Sequence, residues 1–117
     1  MRILVKKQDL LDQIAVALKE YDEKYNKAVN LYLEKLQKYA EYVREYAASP
    51  EKKELKYPPS MPSWMRNTFI RTETALKAHI GDKISLEDDE YNDILHGIEN
   101  MKSTITANIT ALTSYAL

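Results

Sequence analysis

Three side chains that could bind a metal ion lie in the C-terminal third of the chain. Asp89, Asp93 and His96 follow one another at steps of four and three residues, so they would share one face of a helix. A carboxylate three residues before a histidine is half of the motif by which helical bundles bind a pair of metal ions. The other half is missing, because the nearest carboxylate before His79 is Glu73, six residues away. We therefore expect a solvated acidic face and no metal site.

Serines and threonines are plentiful near the C-terminus, but the other groups needed for nucleophilic catalysis are scarce. The chain has no cysteine and 2 histidines, and neither histidine lies in a sequence context typical of a catalytic triad. Loops that bind phosphate groups need glycine, and Gly81 and Gly97 are the only 2 glycines among 117 residues. These counts favour a binding protein over an enzyme and predict no cofactor.

A candidate ligand site lies at the proline-rich turn into a predicted helix. Tyr57, Trp64 and Arg66 surround the N-terminus of that helix, where backbone N–H groups attract anions. An aromatic ring and a guanidinium group at this place could hold a nucleotide or a base. The alternative, which we favour, is that the single tryptophan packs into the core at the start of its helix. A protein that sequesters a small nucleotide is therefore the second hypothesis.

Composition and charge limit the other function classes. Hydrophobic residues make up 44% of the chain and charged residues 30%, as in ordinary globular proteins. The 17 basic residues are balanced by 18 acidic ones, so neither nucleic acid nor a membrane surface is an expected partner. The apolar run from Ile3 to Val5 is too short for a signal peptide or a membrane span. Because cysteine is absent as well, we expect one domain, residues 1–117, in the cytoplasm.

One long amphipathic helix dominates the predicted fold. Apolar and aromatic residues recur at steps of three and four from residue 9 to residue 48, and no proline or glycine interrupts them. A helix of this length spans about 60 Å. It ends at Ser49 and Pro50, where a connector of residues 49–62 begins that holds all 4 prolines. We expect the long helix to pack against two shorter ones in a mainly α fold.

The two shorter helices follow the connector. The first is predicted at 63–80, with Ser63 as its N-cap and Gly81 after its end. The second is predicted at 85–116, with acidic residues in its first turn. Its final part, 103–117, also alternates apolar and polar residues, so a strand is the alternative there. Segments typical of strands predict a small β element, namely residues 1–7, with the strand near 2–6, and residues 54–57 and 83–86.

The apolar face of the long helix is rich in tyrosine. Two shorter helices in so small a monomer would not cover a helix of about 60 Å, so part of this face should stay exposed. Large apolar bodies that carry hydroxyl groups are typical of interfaces. We therefore predict a homo-oligomer, although the same residues could line the core edge of a helical hairpin. The predicted interface residues are Tyr21, Tyr25, Tyr32, Leu36, Tyr39, Val43 and Tyr46.

The order of these segments resembles that of small accessory proteins of tailed phages and prophages, most of which have no assigned function. The resemblance rests on the Met-Arg-Ile-Leu-Val start, Tyr25 and Tyr32 on the long helix, the break at Tyr57-Pro58-Pro59, the segment from Asp82 to Leu86, and the Thr113-Ser114-Tyr115 end. It implies a protein that acts in the host cytoplasm and binds a defence component, either a host protein or its nucleotide signal. A structural or assembly role is the third hypothesis.

Overall fold

The structure, a computed structural model, describes residues 1–51 and 54–117, without the side chain of Thr68. It is 70% helical and contains a two-stranded antiparallel sheet. The predicted fold class, a long N-terminal helix packed on two shorter helices, is confirmed. The elements follow one another as β1 (Arg2–Lys6), α1 (Lys7–Ala48), α2 (Asn67–Ala78), β2 (Lys83–Glu87) and α3 (Asp88–Ser114).

The two long helices, α1 and α3, run parallel in an elongated molecule of 70 × 23 × 18 Å. Two contacts show their relative direction. Lys24 Nζ lies 3.5 Å from Thr106 Oγ1, and further along both helices Lys35 Nζ donates to the carbonyl of Tyr115 at 3.0 Å. Beyond Lys35, α1 continues to Ala48, past the end of α3.

In the structure the connector extends to Arg66, so we use this name for the described residues between α1 and α2, 49–51 and 54–66. The connector and α2 return along α1 in the opposite direction. Arg66, just before α2, binds Asp22, whereas the carbonyl of His79, just after α2, accepts a hydrogen bond from Lys7 Nζ at 2.9 Å. The hydrophobic core therefore lies between all three helices and β2. Its buried side chains are Leu10, Ile14, Ala17, Leu18, Tyr21, Ala28, Phe69, Leu76, Leu86, Ile98, Met101, Ile105 and Leu112.

The sheet lies where α1 and α3 begin, because each of these helices starts directly after a strand. Ile3 pairs with Leu86 and Val5 pairs with Ile84, and all four side chains pack into the core. The predicted strand at 54–57 is wrong, since these residues adopt no strand structure. Tyrosine hydroxyl groups, rather than a neighbouring strand, bind the backbone in this part of the connector.

The second helix begins later than predicted. Its first residue is Asn67 rather than Ser63, so Ser63 is not its N-cap. The backbone N–H of Ser63 donates to Asn108 and that of Met65 donates to Tyr21, and these side-chain partners hold the segment before the helix. The helix ends at Ala78, and Gly81 lies in the turn that leads to β2, with a φ of 111° that disfavours any side chain.

The third helix begins at Asp88 rather than at Ser85, because residues 83–87 pair with β1. It continues to Ser114, so the strand considered for 103–117 does not form. Ile105 and Leu112 are buried seven residues apart, two helical turns, which fixes the helical face. The threonines are accommodated because the Thr110 hydroxyl donates to the backbone carbonyl four residues earlier.

The absence of a side chain at Gly97 allows α2 to lie close to α3. A Cβ atom built on Gly97 would lie 3.1 Å from Cζ of Phe69, closer than side chains normally pack. The ring of Phe69 is buried, with 4% of its surface exposed. The glycine therefore leaves room for the aromatic ring that joins α2 to the core.

Candidate functional site

Two tyrosines of α1, and Tyr115 just after α3, bind the backbone in the first half of the connector. The Tyr39 hydroxyl donates to the carbonyl of Lys56 at 2.9 Å, and the N–H of Lys56 donates to the Tyr42 hydroxyl at 3.2 Å. The Tyr115 hydroxyl donates to the carbonyl of Tyr57 at 2.6 Å. An extended proline-rich chain makes no internal hydrogen bonds, so these tyrosines supply partners that it otherwise finds only in water.

Tyr21 and Asn108 hold the second half of the connector. The Tyr21 hydroxyl donates to the carbonyl of Ser63 and accepts from the N–H of Met65 at 2.9 Å. Asn108 Oδ1 accepts from the N–H of Ser63 at 2.8 Å. Burial raises the pKa of Tyr21 above its ordinary value of 10.0, while the hydrogen bond from Met65 works in the opposite direction. Tyr21 therefore stays protonated and acts as both donor and acceptor.

These contacts change the interpretation of the tyrosine face of α1. Tyr21 is 2% exposed and belongs to the core, so its prediction as an interface residue is wrong. The other six predicted interface residues are half-buried by this same chain: Tyr25, Tyr32, Leu36, Tyr39, Val43 and Tyr46. The connector covers the part of α1 that α3 does not reach, through the hydrogen bonds at Lys56. Homo-oligomerisation stays a prediction, but it loses the uncovered face on which it was based.

Burial along the connector repeats every three residues. Pro59 and Pro62 are buried against the helices, whereas Pro58, Met61 and Trp64 are exposed. Three residues per turn is the period of a polyproline II helix, so the alternation indicates one inner and one outer edge. We call Pro58, Met61 and Trp64 the outer strip. The sequence contained this period, but the predicted site did not include Pro58 or Met61.

Trp64 lies on an aromatic support. Its ring centroid is 4.9 Å from that of Tyr25 in an edge-on arrangement and 6.1 Å from that of Tyr21. Half of its surface, 50%, is exposed, so the expectation that Trp64 packs into the core is wrong. The position follows from the late start of α2, because Trp64 still belongs to the connector rather than to a helix face.

The three predicted ligand residues do not form one site. Arg66 Nε contacts both carboxylate oxygens of Asp22, at 3.1 and 3.2 Å, near Trp64 in sequence. Tyr57, however, lies seven residues before Trp64, a separation of about 20 Å in an extended proline-rich segment. The carboxylate of Asp22 also balances the charge that Arg66 would offer to a phosphate group. The geometry thus removes two features that favoured a nucleotide.

A small cavity of about 280 Å³ lies between the connector and α3, beside one end of the outer strip. Pro58 and Pro59 form part of its wall on the connector side, and Leu112 and Tyr115 form part of it on the α3 side.

The predicted acidic face of α3 is solvated. Asp89, Asp93 and His96 are exposed. In residues 1–51 and 54–117, no three histidine or acidic side chains are grouped so that they could hold a metal ion. None of the helices described here combines the length and apolar character needed to cross a membrane.

Comparisons with protein-family models, with curated proteins and with solved structures give no match to this chain.

Proposed function

We propose that this chain is a non-enzymatic binding protein whose outer strip contacts a partner protein. The observation that carries the proposal is the arrangement of the connector. Pro59 and Pro62 face inward, tyrosine hydroxyls bind the connector backbone, and Met61 and Trp64 face solvent, 67% and 50% exposed.

A fixed outer strip suits binding, because a partner need not order it. Trp64 rests on Tyr25, and the backbone on either side of it is hydrogen-bonded to the Tyr21 hydroxyl. Ordering a flexible side chain on binding costs about 0.5–1.5 kcal/mol, and a side chain that is already held avoids part of this cost. Tryptophan and methionine are also enriched in the centres of protein interfaces.

The length of the outer strip favours a protein over a small molecule as partner. From Pro58 to Trp64 the strip extends about 19 Å at 3.1 Å per residue. Small ligands bind in concave pockets that enclose them, whereas an extended exposed segment fits a groove on another protein. The resemblance to phage accessory proteins adds a class of partner, a host defence protein in the host cytoplasm that the chain would inhibit.

A matched pair of variants tests the proposal. The partner is first captured with the wild-type chain, identified and purified, and its affinity is then measured by calorimetry. Met61→Ser with Trp64→Ser removes two exposed apolar side chains from the outer strip and should weaken binding at least tenfold. Val16→Ser with Leu33→Ser removes two comparably exposed apolar side chains from α1, 58% and 54%, and should leave affinity unchanged. Equal effects of the two pairs would contradict the proposal.

The solution mass distinguishes a foreign partner from a second copy of the chain. The chain has a mass of 13.6 kDa, so light scattering on a sizing column separates a monomer from a dimer. A monomer supports a foreign partner at the outer strip. A dimer that the Met61 and Trp64 substitutions dissociate would show instead that the strip binds a second copy.

A further inference from the structure

The two outer edges of the β1–β2 sheet differ in how their backbone groups are occupied. On β2, the carbonyl of Lys83 contacts His79 Nε2 at 2.9 Å, and the carbonyl of Ser85 accepts from Arg2 Nη1 at 3.2 Å. The N–H of Glu87 donates to the Glu90 side chain at 3.3 Å. Side chains thus block the outer edge of β2 against another strand.

Among the described residues, the outer edge of β1 has no such partners. Lys7 donates its N–H to the carbonyl of Asp82, and Asp88 donates to the carbonyl of Met1, so odd-numbered residues of β1 bond toward β2. The N–H and C=O groups of Arg2 and Leu4, and the N–H of Lys6, therefore point away from the sheet. Within residues 1–51 and 54–117, no side chain or backbone group is hydrogen-bonded to them.

The side chains beside this open edge are Arg2, Leu4 and Lys6, and Arg2 is already paired with Glu87 at 3.4 Å. Leu4 is 66% exposed and lies between Arg2 and Lys6 on the outer face of the sheet. Lys6 is directly opposite Lys83, and neither lysine forms an ion pair with a described residue. Like charges directly opposite each other destabilise a strand pair. An acidic side chain beside Lys6 would offset this repulsion.

We propose that the open edge of β1 binds an extended segment of a partner protein in which acidic, apolar and acidic residues occupy alternate positions. The backbone of that segment would bond to Arg2, Leu4 and Lys6 and extend the sheet to three strands. Its apolar residue would cover Leu4, and one of its acidic residues would lie beside Lys6. This site is separate from the outer strip and does not depend on it.

Charge disfavours a second copy of β1 as the occupant. An antiparallel pair of two β1 strands centred on Leu4 would place Arg2 of one copy opposite Lys6 of the other. Both ends of such a pair would bring like charges together. A strand with an acidic residue beside Lys6 replaces the repulsive contact there by an attractive one, whereas Arg2 keeps its pairing with Glu87.

A short labelled peptide is the probe for this site. In Thr-Glu-Val-Leu-Val-Glu-Thr the acidic and apolar residues are symmetrically placed, so the peptide fits β1 in either strand direction. Fluorescence anisotropy should show binding to the wild-type chain, and NMR should show shifts of the Leu4 and Lys6 amide signals. A peptide with lysine in place of glutamate should bind at least tenfold more weakly. A peptide with N-methyl groups on the bonding amides should not bind.

Charge reversal tests the site without disturbing the strand. Lys6→Glu should reverse the preference, so that the lysine peptide binds more tightly than the glutamate peptide. Lys56→Glu, a charge reversal in the connector, serves as the control and should retain the wild-type preference. Absence of binding by the wild-type chain, or an N-methylated peptide that binds equally well, overturns the proposal. So does a dimer that Lys6→Glu changes, because β1 would then bind a second copy.

Discussion

The hydroxyl group of Tyr21, in the middle of α1, donates a hydrogen bond to the carbonyl oxygen of Ser63, 42 residues later in the chain. The Tyr21 hydroxyl oxygen also accepts a hydrogen bond from the N–H of Met65, so one side chain satisfies two backbone groups of the connector. This contact determines where the extended connector ends and where α2 begins. It also supports Trp64, whose indole ring packs beside the Tyr21 ring.

Removing that hydroxyl should destabilise the fold. In Tyr21→Phe, the carbonyl of Ser63 and the N–H of Met65 lose their partner in a partly buried place, which costs about 1–3 kcal/mol. Tyr32→Phe is the control, because Tyr32 is half-buried on the same helix and its hydroxyl has no hydrogen bond to a described residue. Circular dichroism during urea unfolding measures the free energy of unfolding of both variants. Equal free energies of unfolding for the two variants would contradict the role given to Tyr21.

The raised pKa values of Tyr21 and Tyr115 predict how the free energy of unfolding changes at alkaline pH. Burial raises the pKa of Tyr21 and of Tyr115 above 10.0 in the folded chain, so the folded state retains protons that the unfolded state loses. Their contribution to stability is therefore complete below about pH 10 and decreases as the pH rises above it. The free energy of unfolding, measured from about pH 8 to pH 11, should fall at the upper end. Tyr21→Phe should show a shallower fall, and an unchanged slope would exclude Tyr21 as a cause.

Gly97 and Phe69 should behave as a coupled pair. Alanine favours a helix over glycine by about 1 kcal/mol, but in Gly97→Ala the new methyl group presses against the Phe69 ring. In Phe69→Leu that ring is absent, so the added Gly97→Ala should stabilise by about 1 kcal/mol. Gly97→Ala should stabilise the wild-type protein by less, because the Phe69 ring is present there. A double-mutant cycle from thermal unfolding measures the difference, and strict additivity would contradict the contact.

The support beneath Trp64 can be tested by its fluorescence. Tyr25→Leu removes the ring that packs edge-on against the indole, so Trp64 should become more accessible and acrylamide should quench it more strongly. Tyr46→Leu is the control, since Tyr46 packs against Tyr42 near the far end of α1. The tryptophan is unique, so its emission reports on this site alone. Equal quenching in both variants would show that Tyr25 does not shield it.

Local sequence patterns predicted the helices well, because their apolar spacing and their breakers lie within each segment. The end of α1 at Ala48 agrees with Ser49-Pro50, and the interpretation of the C-terminal segment as helix was correct. The start of α2 was wrong by four residues, since it depends on Tyr21 and Asn108, which are distant in sequence. Such contacts between distant residues cannot be predicted from the residue types at positions 63–66.

The candidate site was predicted only in part for the same reason. Trp64 was singled out, but its exposure depends on the path of the connector over α1. The tyrosines of α1 were recognised as unusual, whereas their hydrogen bonds to the connector could not be inferred from helical spacing. The inward positions of Pro59 and Pro62 could have been proposed, because three-residue periodicity is visible in the sequence itself.

The pairing of Arg2 with Glu87 determines how late the sheet can form while the chain is being synthesised. Of the described elements β1 is made first, yet the strand with which it pairs is completed about 80 residues later, roughly 4–16 s at ordinary translation rates. During that interval Ile3, Leu4 and Val5 form an apolar strand without a partner, the kind of segment that chaperones protect from aggregation. Folding of the sheet end of the molecule is thus necessarily late, whereas α1 can form its helical hydrogen bonds as soon as it is synthesised.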